Sequence, residues 1–354
     1  VRAAIQQCGA EVFLEDGDAL PDRGRRQVLR ARGAGDGALL GDTDQALEVT
    51  NIQFRTRVKV IKNNFTISKG LNVIYLLNRV LASFGILDHV QMNYRDQYQQ
   101  QGYLAPIDVL DVTTAASHRQ QLEQAERKIG PLHYLSKIHT VLTSPARLAA
   151  HPAVPDLVEQ LIGPDILVYN ATYIVKEAGS PAHVTWHQDL TYWGLDRDDQ
   201  VSLWLALSET SVESGCMRVI PGSHVEGRKQ HLLDDSDKTN VLLQGQRVTD
   251  VDESQAVACP LRPGQASLHH GWLLHASAPN RSSDRRIGLN VQYVAPQVRQ
   301  TKLPGYSAWL VRGEDRYHHY AADIPAEIDL DADALARRSQ MERLHRNIAG
   351  TANP

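Results

Sequence analysis

Cysteine is scarce in this chain: Cys8, Cys216 and Cys259 are three in 354 residues, odd in number and without CxxC spacing. Neither a disulfide framework nor a zinc knuckle is therefore indicated, and the thiols read as packing residues in a reducing, cytoplasmic setting. A surplus of one charge sign is lacking as well. Thirty-seven Lys and Arg stand against 41 Asp and Glu, a net charge of −4. A nucleic-acid binder carries a clustered basic excess, so the partner expected is a small molecule and no nucleic acid. Long apolar runs are missing too. The opening VRAAIQQCGAEVF has no apolar core of signal-peptide length. The most apolar stretch, residues 71–87, is interrupted by Asn72, Asn78 and Arg79 and is too polar to span a bilayer. It reads as an amphipathic helix with Val73, Leu77, Val80, Leu81 and Phe84 on one face, and no membrane partner is expected. There is no internal repeat and no glycine-rich phosphate loop.

What is present is a 42% hydrophobic content, enough for one large domain or for one domain with a smaller extension. The Gly- and Asp-rich run at 31–45 offers little periodicity. Residues 1–95 are accordingly expected to form an extension of uncertain structure, and 96–354 the main domain, with its core at about 130–300. From Tyr98 a helix runs into a turn and a strand near 107–110, and further helices are expected at 115–129 and 146–161, Pro152 and Pro155 marking the start of the latter. After Gly163 the texture becomes β, with runs at 166–175, 201–207, 217–220, 267–274 and 287–294. Turn signals at 179–181, 221–223, 263–265 and 279–280 separate them. Short strands after helices point to a mainly β fold, a sandwich or jelly roll with flanking helices, rather than a βαβ fold.

The chemistry concentrates in two segments. In 184–193, VTWHQDLTYW, His187 and Asp189 sit two apart and would share one face of an extended strand. In 267–280, SLHHGWLLHASAPN, a strand ends on His275 just before a turn. Two histidines and a carboxylate form the facial set that leaves three open positions on iron(II). A buried histidine is more often a hydrogen-bonded core residue than a ligand, and fifteen are present. The accompanying Arg286 strengthens the metal reading, because a guanidinium eleven residues on can return on the neighbouring strand and clamp a carboxylate. His269 and His270 read as residues of the strand that delivers His275, with His269 on the same face. Tyr173, Trp186, Tyr192 and Trp193 are candidates for a pocket wall.

These motifs resemble the phytanoyl-CoA dioxygenase family. The resemblance rests on Trp186-His-Gln-Asp189, Trp204-Leu-Ala-Leu207, the run from Glu213 to His224, and the run from His275 to Arg286, in the family's order over roughly 200 residues. It implies a double-stranded β-helix (jelly roll, cupin-like), iron(II), the cosubstrates 2-oxoglutarate and O2, and hydroxylation of an unactivated C–H bond, with succinate and CO2 as coproducts. By position, His187, Asp189 and His275 match the iron ligands and Arg286 the residue that pairs with the far carboxylate of 2-oxoglutarate. Ser277 matches a supporting hydroxyl, Trp204 an aromatic wall, and Thr172 and Lys137 further cosubstrate contacts. Desaturation by the same chemistry and a non-catalytic binding protein are the alternatives. A halogenase would leave the place of Asp189 to halide, and a zinc hydrolase would give Arg286 no role. Substrate choice is expected to reside in loops between 226 and 258 and after 296. Neither substrate identity nor oligomeric state is legible in the sequence.

Overall fold

The computed structural model describes residues 93–349 except 235, 243, 244, 303 and 304, together with four strands nearer the N-terminus. The chain divides into two units, Val1–Gln91 and Met92–Pro354. In the first, β1 (Glu11–Glu15), β2 (Val28–Leu29), β3 (Ala46–Thr50) and β4 (Arg57–Ile61) form an antiparallel ladder in the order β2-β1-β4-β3. The RVKVI of β4 has the period-two alternation of a strand. The helix expected at 71–87, the glycine-rich run at 31–45 and Cys8 lie outside the described residues.

The second unit opens with α1 (Tyr94–Gln101), capped by the Asn93 side chain, which accepts from the Asp96 amide at 2.9 Å. Strand β5 (Tyr103–Asp108) follows, then α2 (Val112–Ile129), capped by Asp111 in the same way. The single helix expected at 146–161 is two, α3 (Thr143–Ala149) and α4 (Ala153–Ile162). Pro152 separates them, since it has no N–H and disfavours the helical conformation in His151 before it. The remaining elements are β6 (Ile166–Lys176), β7 (Val184–His187), α5 (Leu190–Trp193), β8 (Gln200–Ala206), β9 (Met217–Val219), β10 (His231–Leu232) and β11 (Arg247–Val248). They continue with β12 (Val257–Cys259), β13 (Gln265–His269), β14 (His275–Ser277), β15 (Arg286–Val294), β16 (Ser307–Arg312), β17 (Ala321–Ala322) and α6 (Ala332–Ala349). No described helix is long and apolar enough to cross a membrane.

Seven strands form a major sheet in the order β17-β16-β6-β15-β8-β13-β5, and four form a minor sheet, β12-β9-β14-β7. A two-stranded ladder joins β10 and β11. These findings correct the expected double-stranded β-helix. Among the described residues no sheet closes on itself, and the architecture is a mixed β/α fold of several open sheets. The minor sheet explains why: its strands are three or four residues long and run straight into turns, so its ladder ends at β12 and β7.

The major sheet has two unlike faces, and this positions the site. On β15, Ile287, Leu289, Val291 and Tyr293 alternate with Arg286, Gly288, Asn290 and Gln292. The first set joins a core built with Tyr173 and Val175 of β6, Leu203 and Leu205 of β8, and Leu122, Leu148 and Val158 of the helices. Burying that face supplies the main apolar stabilisation of the unit. The second set, equally buried, is polar. A strand buried on both faces but polar on one needs partners for that face, and most of what it meets is a cavity.

Candidate active site

Cross-strand register assembles the polar face. Arg286 pairs with Lys176, Gly288 with Ile174, Asn290 with Thr172 and Trp204, and Gln292 with Asn170 and Ser202. Trp204 lies across β15 because position 288 is glycine: a Cβ there would stand 2.1 Å from the indole. The indole in turn sits 5.0 Å from the Arg286 guanidinium, a cation–π contact. Arg286 is 3% exposed, donates from Nη1 to the Gly215 carbonyl at 2.6 Å, and leaves Nε without a partner. Burial lowers its pKa to about 10.

The minor sheet brings the metal-binding set to the same cavity. His275 on β14 is paired with His187 on β7, and their rings lie 4.0 Å apart. Asp189 does not share a strand face with His187, as the sequence had suggested: β7 ends at His187 and Asp189 already has helical dihedrals as the first residue of the turn into α5. That turn, rather than strand alternation, aims its carboxylate at both imidazoles. Asp189 Oδ1 lies 3.5 Å from His187 Nε2 and 3.8 Å from His275 Nε2. One ligand atom from each of the three lies within 4.8 Å of the others.

The orientation of the rings is fixed from behind. His187 Nδ1 faces the carbonyls of Thr185 (2.9 Å) and His275 (3.1 Å), and His275 Nδ1 faces that of Leu273 (3.0 Å). A carbonyl can only accept, so Nδ1 carries a hydrogen in both rings, and Nε2 is the atom each ring offers to a metal. The second oxygen of Asp189 accepts from Ser202 Oγ at 3.1 Å. Burial would raise the Asp189 pKa, but His187, His269 and His275 outweigh it and hold the carboxyl well below its usual range. The His275 pKa is pushed well below its usual value, by burial first and by His187 next. Two imidazole Nε2 atoms and a carboxylate on one side, with open space opposite, fit a facial iron(II) site.

The cavity measures about 180 Å³, and the triad, Arg286, Ser277, Trp204 and Thr172 all line it. Thr172 Oγ1, Ser136 Oγ, Asn290 Oδ1 and Gln292 Oε1 are buried there without partners. His269 lines it too, with Nε2 3.5 Å from Asp189 Oδ2, but not as a neighbour of His275 on one strand. A turn at 270–274 separates β13 from β14, held by Gln200 Oε1, which accepts from the Gly271 amide at 2.9 Å. Tyr173, Trp186, Tyr192 and Trp193 pack in hydrophobic clusters and do not line the cavity.

Several residues here escaped the sequence. Gln188 staples a surface loop, donating to the Gly227 and Trp272 carbonyls and accepting from the Lys229 amide at 2.7 Å. His345, from α6, lines the cavity, with Nδ1 2.7 Å from the Tyr306 hydroxyl. Lys176 lies behind Ser277, its Nζ 2.8 Å from Ser277 Oγ.

The sequence profile of the phytanoyl-CoA dioxygenase (PhyH) family matches residues 98–288. The chain belongs to this family. Among curated relatives it is 29% identical to a probable alpha-ketoglutarate-dependent hypophosphite dioxygenase of Stutzerimonas stutzeri, over 58% of this chain and 74% of that one. It is 33% identical to phytanoyl-CoA dioxygenase domain-containing protein 1 of Danio rerio, over 46% of this chain and 55% of the relative. Among solved structures, the apo form of the non-heme monooxygenase ThoJ superposes with a TM-score of 0.64 at 29% identity, covering 72% of this chain and 99% of ThoJ. Family and triad together give the site its chemistry: it is that of an iron(II)- and 2-oxoglutarate-dependent dioxygenase of the hydroxylating kind.

Lys137 departs from what the resemblance implied, because it does not line this cavity. It is fully buried, its Nζ bonded to the Tyr169 carbonyl (2.6 Å), the Ser307 carbonyl (2.5 Å) and Asp323 (2.8 Å). All three hydrogens of the ammonium are thus committed to protein oxygens, none to a ligand. Lys137→Met is expected to destabilise the fold by about 3–5 kcal/mol by stranding Asp323, while 2-oxoglutarate affinity stays as in the parent. Chemical denaturation and cosubstrate titration on the same preparation separate the two, and a cosubstrate affinity lost at intact stability would restore the contact.

Proposed function

We propose that the chain inserts one atom of O2 into a C–H bond of a small polar molecule, with His187, Asp189 and His275 holding iron(II) and Arg286 holding the far carboxylate of 2-oxoglutarate. The observation that carries this reading is the pairing, in one cavity, of the triad with a buried guanidinium that has no acidic partner among the described residues. When bound, iron and 2-oxoglutarate together supply the oxidising power, with succinate and CO2 as coproducts. Arg286 offers Nε and the fork beside it to a carboxylate, Ser277 adds a hydroxyl, and Thr172 Oγ1 is a free donor on the adjoining strand. Trp204 walls that end, its indole 5.0 Å from the guanidinium. With iron bound, Asp189 would fill the place that a halogenase leaves to halide, and its charge would disfavour a second anion there.

The cavity supports a small substrate, since ligand pockets more commonly run from roughly 300 Å³ upward. Its unpartnered hydroxyl and amide oxygens, Ser136 Oγ, Asn290 Oδ1 and Gln292 Oε1, favour a molecule that donates hydrogen bonds. Hypophosphite is the substrate in the name of one relative and L-proline in that of another, a trans-4-hydroxylase of Streptomyces griseoviridis, both small and polar. The test is turnover with iron(II), 2-oxoglutarate and ¹⁸O2 against a panel of small polar substrates in high chloride. One ¹⁸O atom in the product, one in succinate and no chlorinated species are expected. A chlorinated product, or 2-oxoglutarate left unconsumed across the panel, would overturn the reading.

A further inference from the structure

Two basic side chains meet at one end of the cavity with no acidic side chain paired to either among the described residues. Lys176 and Arg286 are partners across the β6–β15 ladder, both are buried, and neither forms an ion pair among the described residues. The groups whose charge bears on Lys176 are Arg286 from β15 and Cys216 from the turn before β9, and His133, ahead of β6, lies within reach of both basic groups. Glu177 next to it pairs with Arg285 instead. Lys176 Nζ reaches across to the minor sheet, to Ser277 Oγ (2.8 Å), Ser277 O (3.2 Å) and Ala278 O (2.5 Å). Asn280 Nδ2 donates to the Lys176 carbonyl at 3.1 Å and ties the same two segments together.

The protonation state of this amine decides what Ser277 can do. The two carbonyls can only accept, so two N–H groups are committed to them. A neutral amine then presents its lone pair to Ser277 Oγ and takes the hydroxyl hydrogen. An ammonium presents a third N–H, so that Ser277 Oγ accepts and its hydrogen is free to turn into the cavity, which Ser277 lines beside Arg286. Resting on the reading of this cavity as a 2-oxoglutarate site, we propose that Lys176 is a positioning residue that takes up a proton from solvent as the cosubstrate carboxylate reaches Arg286, and thereby turns the Ser277 hydroxyl into a donor to that carboxylate. No covalent bond changes: one proton moves from buffer to Nζ, and one O–H changes partner. With no anion present, burial and then Arg286 hold the Lys176 pKa down to about 6, so the amine is mostly neutral at pH 7.5. A carboxylate beside it favours the charged form.

The experiment is calorimetric titration of the full-length, manganese(II)-loaded protein with 2-oxoglutarate under anaerobic conditions, in Hepes and in Tris, whose heats of ionisation differ. At pH 7.5 the apparent enthalpy should differ between the buffers by an amount approaching the uptake of one proton, and the difference should shrink several-fold at pH 5.5, where Lys176 is already charged. Lys176→Met should abolish the difference and weaken binding about tenfold or more, as loss of a charge-assisted hydrogen bond does. Lys176→Arg, permanently charged, should bind with no proton uptake. Buffer-independent heat in the parent protein, a measurement that needs no variant, overturns the inference and leaves the cavity assignment standing; so does uptake that persists in Lys176→Met. Absence of any 2-oxoglutarate binding overturns the cavity assignment itself, and this proposal with it.

Discussion

His187→Ala and His275→Ala are each expected to lose stoichiometric iron and with it all succinate formation. Each removes one of two imidazole nitrogens that face Asp189 Oδ1 at 3.5 and 3.8 Å. Cis ligands about 2.1 Å from a metal stand about 3 Å apart, so the separations need to contract only slightly on binding. The backbone carbonyls behind each Nδ1 fix the lone pairs in place before the metal arrives. Losing such an outer partner costs roughly 10–100-fold in affinity or activity, and losing the ligand itself must cost more. Elemental analysis of protein reconstituted with iron, alongside succinate release, measures both effects. One iron per chain retained in the His187→Ala, His275→Ala double variant would remove the triad from consideration. Thermal denaturation of the metal-free variants beside the metal-free parent separates loss of the ligand from loss of the fold.

The triad was legible because a two-residue spacing survives most local conformations. Its members do not share a strand face, because β7 stops at His187 and a turn does the aiming. The apolar run at 267–274 looked like one strand for the same reason. Nothing local marks the break after His269, since the contact that holds the turn comes from Gln200, 71 residues away in sequence from Gly271. Ladder closure was equally out of reach, because alternation reports which face is buried and not whether the outer strands of a sheet find one another. Arg286, Ser277, Trp204 and Thr172 do converge on one cavity. Lys137 does not, because a lysine on a short helical turn can be drawn into the core by an acid far along the chain, here Asp323. Lys176 and His345 carried no signal: the first reads as the polar end of an apolar strand, and the second belongs to a charged helix whose approach to the site is purely tertiary.

Arg286→Ala is expected to raise the KM for 2-oxoglutarate by about 30-fold to several-thousand-fold, corresponding to the roughly 2–5 kcal/mol lost when one partner of a buried charge pair is removed. The parent side chain is 3% exposed, and its contacts among the described residues include one carbonyl and one indole face. With no acid among the described residues to neutralise it, an incoming carboxylate meets a cation already stripped of water, which is where an ion pair is strongest. Arg286→Lys keeps the charge but not the two-pronged geometry and should fall between parent and alanine. A second readout separates binding from folding. A buried, unpaired guanidinium costs stability in the ligand-free protein, so Arg286→Met, similar in volume and uncharged, should melt at or above the parent when 2-oxoglutarate is absent. The parent should gain several degrees of Tm on adding cosubstrate, while Arg286→Met should gain almost none, because stabilisation by a ligand follows its occupancy. An unchanged KM in Arg286→Ala would mean that another residue holds the carboxylate, and a loss of Tm in ligand-free Arg286→Met would mean that the guanidinium is there for the fold.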